Sequence, residues 1–247
     1  MRMRLNRFLS RAGVASRRRA DTLLLSGRVS VNGEPRVKPG SVIDTEKDIV
    51  EVDGRVIHLP EEFVYVAFNK PKGVLTTLEY RSKRPTIRPY IMAISEELGI
   101  EGGLVYVGRL DGDTWGLLLL TNDGSFANKV AHPRYEVERE YIVILDKKLK
   151  IEHINYIEKG IYLNDGMTLP AKIKYLDEED GLFRYSIIVR EGRKRLIRRI
   201  FKKFNYNIID LFRIRIGNIL LEGLVEGGWR ELKRDEALLV FKKRVNR

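Results

Sequence analysis

The first 57 residues switch between two periodicities. Leu5, Phe8, Leu9 and Ala12 fall at i, i+3, i+4 and i+7, the apolar stripe of a short helix that Gly13 ends. Ser16 stands where it can cap a second helix, with Ala20, Leu23 and Leu24 on the inward face. After Gly27 the period drops to two: Val29-Ser30-Val31 breaks at Asn32-Gly33, and Asp48 to Val52 turns at Asp53-Gly54 into Arg55-Val56-Ile57. Residues 1–57 are thus expected to form two short helices on a small β-sheet. His58-Leu59-Pro60-Glu61-Glu62 is polar and contains proline, which marks 58–62 as a linker and 63–247 as a second domain.

Strands dominate the pattern of that second domain. Phe63 to Asn69, Leu104 to Val107, Leu117 to Thr121, Glu140 to Leu145, Ala171 to Tyr175, Phe183 to Val189, Leu211 to Ile216 and Leu238 to Phe241 read as strands. Helices are expected at Ser95 to Leu98, Ser125 to Val130 and Lys147 to Glu158, with Arg81 to Pro89 a basic loop and Lys242 to Arg247 a frayed tail. Ile197, Ile200, Phe201 and Phe204 form the apolar stripe of another helix, and Arg195, Arg198, Arg199 and Lys202 repeat its spacing on a neighbouring face. Many strands and few helices in mixed order predict an α+β fold, with a largely antiparallel sheet flanked by helices.

Composition narrows the chemistry. The 247 residues include no cysteine and three scattered histidines, so disulfides, thiol nucleophiles and thiolate metal sites are excluded, and no metal site is expected. No apolar run approaches the roughly 20 residues of a membrane span, and the N-terminus runs into an amphipathic pattern. The expected location is cytoplasmic, with no membrane partner. The net charge of +12 is concentrated in two places. Residues 1–28 carry eight arginines against Asp21 alone; Arg190 to Phe204 carries eight basic residues against Glu191 alone. Three arginines, Arg17, Arg18 and Arg19, in the first turn of a helix oppose its dipole and point to an external polyanion.

The candidate chemistry sits on Gly108-Arg109-Leu110-Asp111-Gly112-Asp113-Thr114-Trp115-Gly116, a glycine-rich connection between two strands. Such a turn holds its carboxylates on a rigid scaffold. On local grounds Asp111 suits either a turn-forming bond to its own backbone or catalysis. Asp113 and Thr114 read as turn-stabilising through local hydrogen bonds. The lysines of Lys70-Pro71-Lys72-Gly73 fit phosphate or water equally. Tyr141 fits core, sheet edge or active-site wall, with core favoured.

Two resemblances sharpen this. Leu5 to about Ile57, through LNRFLSRAGVASRRRADTLLLSGRVSVNG, resembles the S4 RNA-binding domain. That likeness implies RNA contacts by Arg4, Arg7, Arg11, Arg17, Arg18, Arg19 and Arg28. The second domain resembles the RsuA/RluB/RluE/RluF-type pseudouridine synthases. The likeness rests on Phe68-Asn69-Lys70-Pro71-Lys72-Gly73-Val74, Gly108-Arg109-Leu110-Asp111 with Gly116 to Gly124, His132-Pro133-Arg134 and the Glu191 to Phe201 helix. It departs from the family pattern at Arg139, Lys194 and Leu196.

The resemblance implies a ribosomal RNA pseudouridine synthase, an isomerase that needs no cofactor and acts as a monomer on ribosomal RNA or an assembly intermediate. It implies Asp111 as the catalytic aspartate, acting as nucleophile at C1′ or as base at C2′, and Tyr141 as the residue that stacks on the target base. Arg198 is expected to ion-pair with Asp111 and fix its rotamer. Arg109, Ile197, Lys72, Arg193, Arg195 and Arg199 are the expected substrate contacts. Gly13 to Arg18 looks more like the large-subunit enzymes than the small-subunit ones. The rival readings are a small-subunit synthase, a non-catalytic RNA-binding assembly factor and a hydrolase pairing Asp111 with Asp113.

Overall fold

The computed structural model describes residues 1–35, 37–60, 62–100 and 103–242, so Glu61 of the expected linker and the basic tail past Lys242 lie outside the described residues. Two compact units appear: Met1–Phe63 with Ile91–Val105 and Asn122–Gly124, and Val64–Tyr90 with Tyr106–Thr121 and Ser125–Arg247.

The first 60 residues run β1 (Arg2–Arg4), α1 (Leu5–Arg11), α2 (Arg17–Leu25), β2 (Val29–Val31), β3 (Glu34–Pro35), β4 (Val42–Asp44), β5 (Val50–Val52) and β6 (Arg55–Val56). Strands β3-β2-β5-β6 form an antiparallel sheet, and β1 pairs with β4. The apolar stripes of the two helices meet this sheet in one core that includes Leu5, Phe8, Leu9, Ala20, Leu24, Val29 and Val50. Burying each larger side chain there contributes about 1.5–3 kcal/mol over leaving it in water. Ser16 Oγ accepts the Arg19 amide at 3.4 Å, the expected cap, and Asn6 Nδ2 donates to Asp21 at 2.9 Å to tie α1 to α2.

The chain continues through β7 (Tyr65–Lys70), α3 (Arg88–Glu97), β8 (Val105–Val107), β9 (Trp115–Thr121), α4 (Gly124–Ala131), β10 (Arg139–Leu145) and α5 (Ile151–Lys159). It then runs β11 (Tyr162–Leu163), β12 (Gly166–Met167), β13 (Lys172–Glu179), β14 (Leu182–Val189), α6 (Leu196–Lys203), β15 (Ile208–Ile216), β16 (Ile219–Leu220), β17 (Trp229–Leu232) and α7 (Arg234–Leu238). One sheet of order β13-β14-β10-β15-β9-β7-β17 organises the unit, with β16 on β15 and β8 on β9. Along the main order every pairing is antiparallel except β15 with β9. At that parallel contact Gly116 faces Arg213, and a Cβ on Gly116 would collide with the Arg213 backbone. Only glycine fits there.

Strands β11, β12 and β17 were not expected from the sequence, and three expected segments take another form. Helix α3 begins at Arg88, inside the stretch read as loop, because proline is tolerated in a first helical turn and Ile87, Ile91 and Ile94 supply buried anchors. Leu238 to Phe241 is not a strand but the end of α7 and a 3₁₀ turn at Leu239–Phe241; Asp235 and Glu236 in the first turn favour the helix. Helix α5 starts at Ile151, after Leu149 and Lys150 have donated their amides to the hydroxyls of Tyr185 and Tyr206.

Candidate active site

Period-two alternation sends Arg139 and Tyr141 of β10, and Leu211 and Arg213 of β15, to one face of the sheet. In register, Tyr141 lies opposite Arg213 and Arg139 opposite Val189 of β14. These five residues line a cleft of about 450 Å³ with the Gly108 to Asp111 turn, Thr114, Ala131 and the segment Glu191 to Arg198. Asp111 and Tyr141, far apart in sequence, thus share one cavity. Tyr141 is 9% exposed, so its surroundings are both core and wall.

The turn that carries Asp111 is clamped from two sides. Leu110 is buried, its amide donates to Thr76 Oγ1 at 3.2 Å, and that hydroxyl donates to the Leu110 carbonyl at 2.7 Å. The Gly73 amide donates to the Gly112 carbonyl at 2.7 Å, and the Thr114 amide to the Asp111 carbonyl at 3.1 Å. A Cβ on Gly112 would lie 2.9 Å from Leu75 and 3.0 Å from Arg84 Nη2, so the turn has no room for a side chain there. Lys70 supports the clamp: wholly buried, it donates to the Pro71 and Val74 carbonyls at 2.7 Å each. Burial pushes its ammonium down to about 8. Of the two readings left open for this lysine, phosphate or water, the structure gives neither. Lys72 is exposed, bonds Asp210 at 2.6 Å and stays outside the cleft lining.

The arginines are arranged differently from the expectation. Arg198 does not pair with Asp111; its Nη2 donates to the Asp113 carbonyl at 2.8 Å and its Nε lies 3.3 Å from Asp113 Oδ2. Arg195 makes a two-pronged contact with Asp113 at 3.2 and 3.1 Å and brings Nη1 within 3.9 Å of Asp111 Oδ2. Asp113 is therefore an acceptor for Arg195 and Arg198 as well as for its own backbone amide, the local bond expected of it. Burial raises its carboxyl, but the Arg195 hydrogen bonds and the Arg198 charge outweigh that and hold it below the ordinary carboxylate range. Arg195 is not part of the helical basic stripe: it precedes Leu196 with φ 51°, ψ 34°, a left-handed conformation costly for a side chain.

Other expected contacts divide sharply. Ile197 and Arg109 line the cleft, Ile197 buried and Arg109 exposed. Arg193 also lines it, but its guanidinium is committed to Glu191, Asp165 and the Gly166 and Met167 carbonyls, which ties the segment leading into α6 to the β11–β12 turn. Arg199 pairs with Asp165 at 2.8 Å and is not in the lining. In the first unit Arg4, Arg7, Arg17, Arg18 and Arg19 are exposed, whereas Arg28 pairs with Asp53 and Arg11 lies 5.4 Å over the Phe63 ring. Sequence reasoning missed Arg139 and Arg213 in the lining, whereas Lys194, also there, belongs to the basic Arg193 to Lys203 run expected to hold phosphates. The signal for the first two was an arginine at an inward position of an otherwise apolar strand.

Comparison with known proteins identifies the family. Residues 64–203 match the RNA pseudouridylate synthase family and residues 3–50 the S4 domain. An RNA pseudouridine synthase of Aquifex aeolicus is 41% identical, the match covering 98% of this chain and 95% of that protein. The ribosomal large subunit pseudouridine synthase B of Bacillus subtilis is 37% identical over 94% of this chain and 93% of its own length. A crystal structure of a pseudouridylate synthase superposes with a TM-score of 0.68 at 29% identity, covering 96% of this chain and 99% of the other. With a carboxylate-bearing turn, a cleft-lining tyrosine and an arginine-rich helix assembled on the matched segment, the chain belongs to the RNA pseudouridylate synthase family.

Proposed function

We propose that the protein isomerises uridine to pseudouridine in large-subunit ribosomal RNA, with Asp111 as the reacting carboxylate. The observation that carries this reading is the meeting of Asp111 and Tyr141 in one cleft. The name of the Bacillus subtilis relative supports the large subunit as target. A cleft of about 450 Å³ takes a nucleotide only after it has left its helix. The Tyr141 ring then offers a face to the uracil, and Asp111 acts at C1′ or on the C2′ proton. Arg195 is the guanidinium that approaches Asp111, and Arg198 acts through Asp113. Arg109 and Lys194, exposed on the lining and without a side-chain partner among the described residues, are the cations we assign to the phosphates of the opened strand. Residues 1–57 serve as the docking module, with Arg4, Arg7, Arg17, Arg18 and Arg19 supplying affinity rather than sequence choice.

Incubation with transcripts of both ribosomal RNAs, followed by carbodiimide adduct formation and primer extension, tests this. The expected result is a new adduct-dependent stop in the large-subunit RNA. A stop confined to the small-subunit RNA would reassign the target, and none in either RNA or in ribosomal precursors would remove the isomerase reading.

A further inference from the structure

Arg213 carries a charge that no carboxylate in the described fold balances. It is 2% exposed, its Nε donates to the Leu117 carbonyl at 2.7 Å, and its Nη1 donates to Tyr141 Oη at 3.3 Å. Nη2 is buried and has no hydrogen-bond partner. Arg215, two residues further and equally buried, has what Arg213 lacks: Glu140 at 2.6 Å and Glu138 at 3.3 Å. The neighbouring buried cations do not help. Arg139 is satisfied by the Val130 and Val137 carbonyls and Lys70 by those of Pro71 and Val74, so each adds positive charge with no carboxylate bound to it. An unpaired guanidinium is costly to bury, and an orphan donor in a cleft lining marks a place where a ligand supplies the missing acceptor.

The chemistry of the proposed reaction, on which this inference rests, produces such an acceptor. When the N1–C1′ bond breaks, its electron pair stays with the uracil and spreads onto O2 and O4. Asp111 either bonds to C1′ or takes the C2′ proton. The ring turns, C5 bonds to C1′ as Asp111 leaves or returns the proton, the C5 proton goes to solvent and N1 gains one. Atoms and electrons balance without a further reactant.

We propose that Arg213 is a catalytic residue of this isomerisation, its unpaired Nη2 taking a uracil carbonyl oxygen and stabilising the negative charge that collects on the ring as the glycosidic bond breaks. Its position suits the role. It is the cross-strand neighbour of Tyr141 and bonds that residue's hydroxyl, so it lies beside the ring assigned to hold the base. A fixed positive charge in a site shielded from water acts most strongly where charge develops, and it needs no rearrangement during the step.

The test uses the full chain and its target RNA carrying either uridine or 5-fluorouridine, whose fluorine makes the departing ring a weaker base that needs less help. Single-turnover consumption of the target nucleotide is followed for wild type, Arg213→Gln and Arg213→Lys. Arg213→Gln is expected to slow uridine RNA by about 100- to 1000-fold. On 5-fluorouridine RNA its loss should be at least tenfold smaller. Arg213→Lys, which keeps the charge, should show the same contrast with smaller losses. Each variant is compared with itself on two RNAs, so a partly misfolded preparation cancels, and the lysine variant carries the comparison if the glutamine variant does not fold. Equal losses on both RNAs would overturn the role of Arg213. A wild-type protein that turns over neither RNA would overturn the isomerase reading itself.

Discussion

Asp113 holds two guanidiniums at once, both oxygens on Arg195 and its carbonyl and carboxylate on Arg198. Because these contacts lower its pKa, its stabilising contribution is full above the unfolded value near pH 4 and is lost as pH falls through the lower folded value. Asp113→Asn should therefore lower the melting temperature at pH 7, with the gap to wild type closing only below about pH 4. A gap independent of pH would contradict this. The carboxylate is nearly half exposed, so screening keeps the stability cost to about 1 kcal/mol or less. The larger effect is expected in turnover, at least tenfold, because Arg195 loses the anchor that keeps it near Asp111. The sequence placed Asp111 and Tyr141 in one site through resemblance alone. It could not show which of two aspartates, two residues apart, would take the arginines, because that depends on where the start of α6 packs.

At the scale of elements, the site depends on how α6 begins. Arg195 sits in a left-handed conformation that glycine adopts freely, yet its side chain makes the contacts with Asp113 and Asp111. Arg195→Gly should relieve about 1 kcal/mol of backbone strain while removing those contacts, so thermal stability should change little and single-turnover rate should fall at least tenfold. A matching collapse of both would mean that the residue is structural. Helix α6 itself was legible, since Ile197, Ile200 and Phe201 are all buried as their spacing required. The basic stripe beside them was legible only as charge. Arg193 and Arg199 are spent on Asp165, an intramolecular use that periodicity cannot reveal. The start of α3 and the end of α7 were missed for a related reason: short apolar runs next to proline or acidic residues suit either element until packing decides.

For the whole molecule, the alternation of periods gave the α+β class and the largely antiparallel sheet, whereas the parallel pairing of β9 with β15 left no local signal beyond Gly116. Two basic regions were visible from charge alone, and the structure leaves their arginines in different states: exposed in α2, mostly paired around α6. Neutralising Arg17, Arg18 and Arg19 together should weaken RNA binding and reduce the slope of log affinity against log salt by about 2, with turnover of saturating RNA nearly unchanged. An unaltered slope would move the docking surface elsewhere. The proposed role of Asp111 is to react with the target nucleotide in the cleft lined by β10, β14 and β15. Its most direct test is tritium release from ribosomal RNA labelled at uracil C5, comparing wild type with Asp111→Asn under saturating RNA. Wild type is expected to release tritium and the variant none above background, with the variant's RNA affinity within about threefold of wild type, because the substitution leaves the proposed phosphate-binding cations in place. Full release by the Asp111→Asn protein would contradict it.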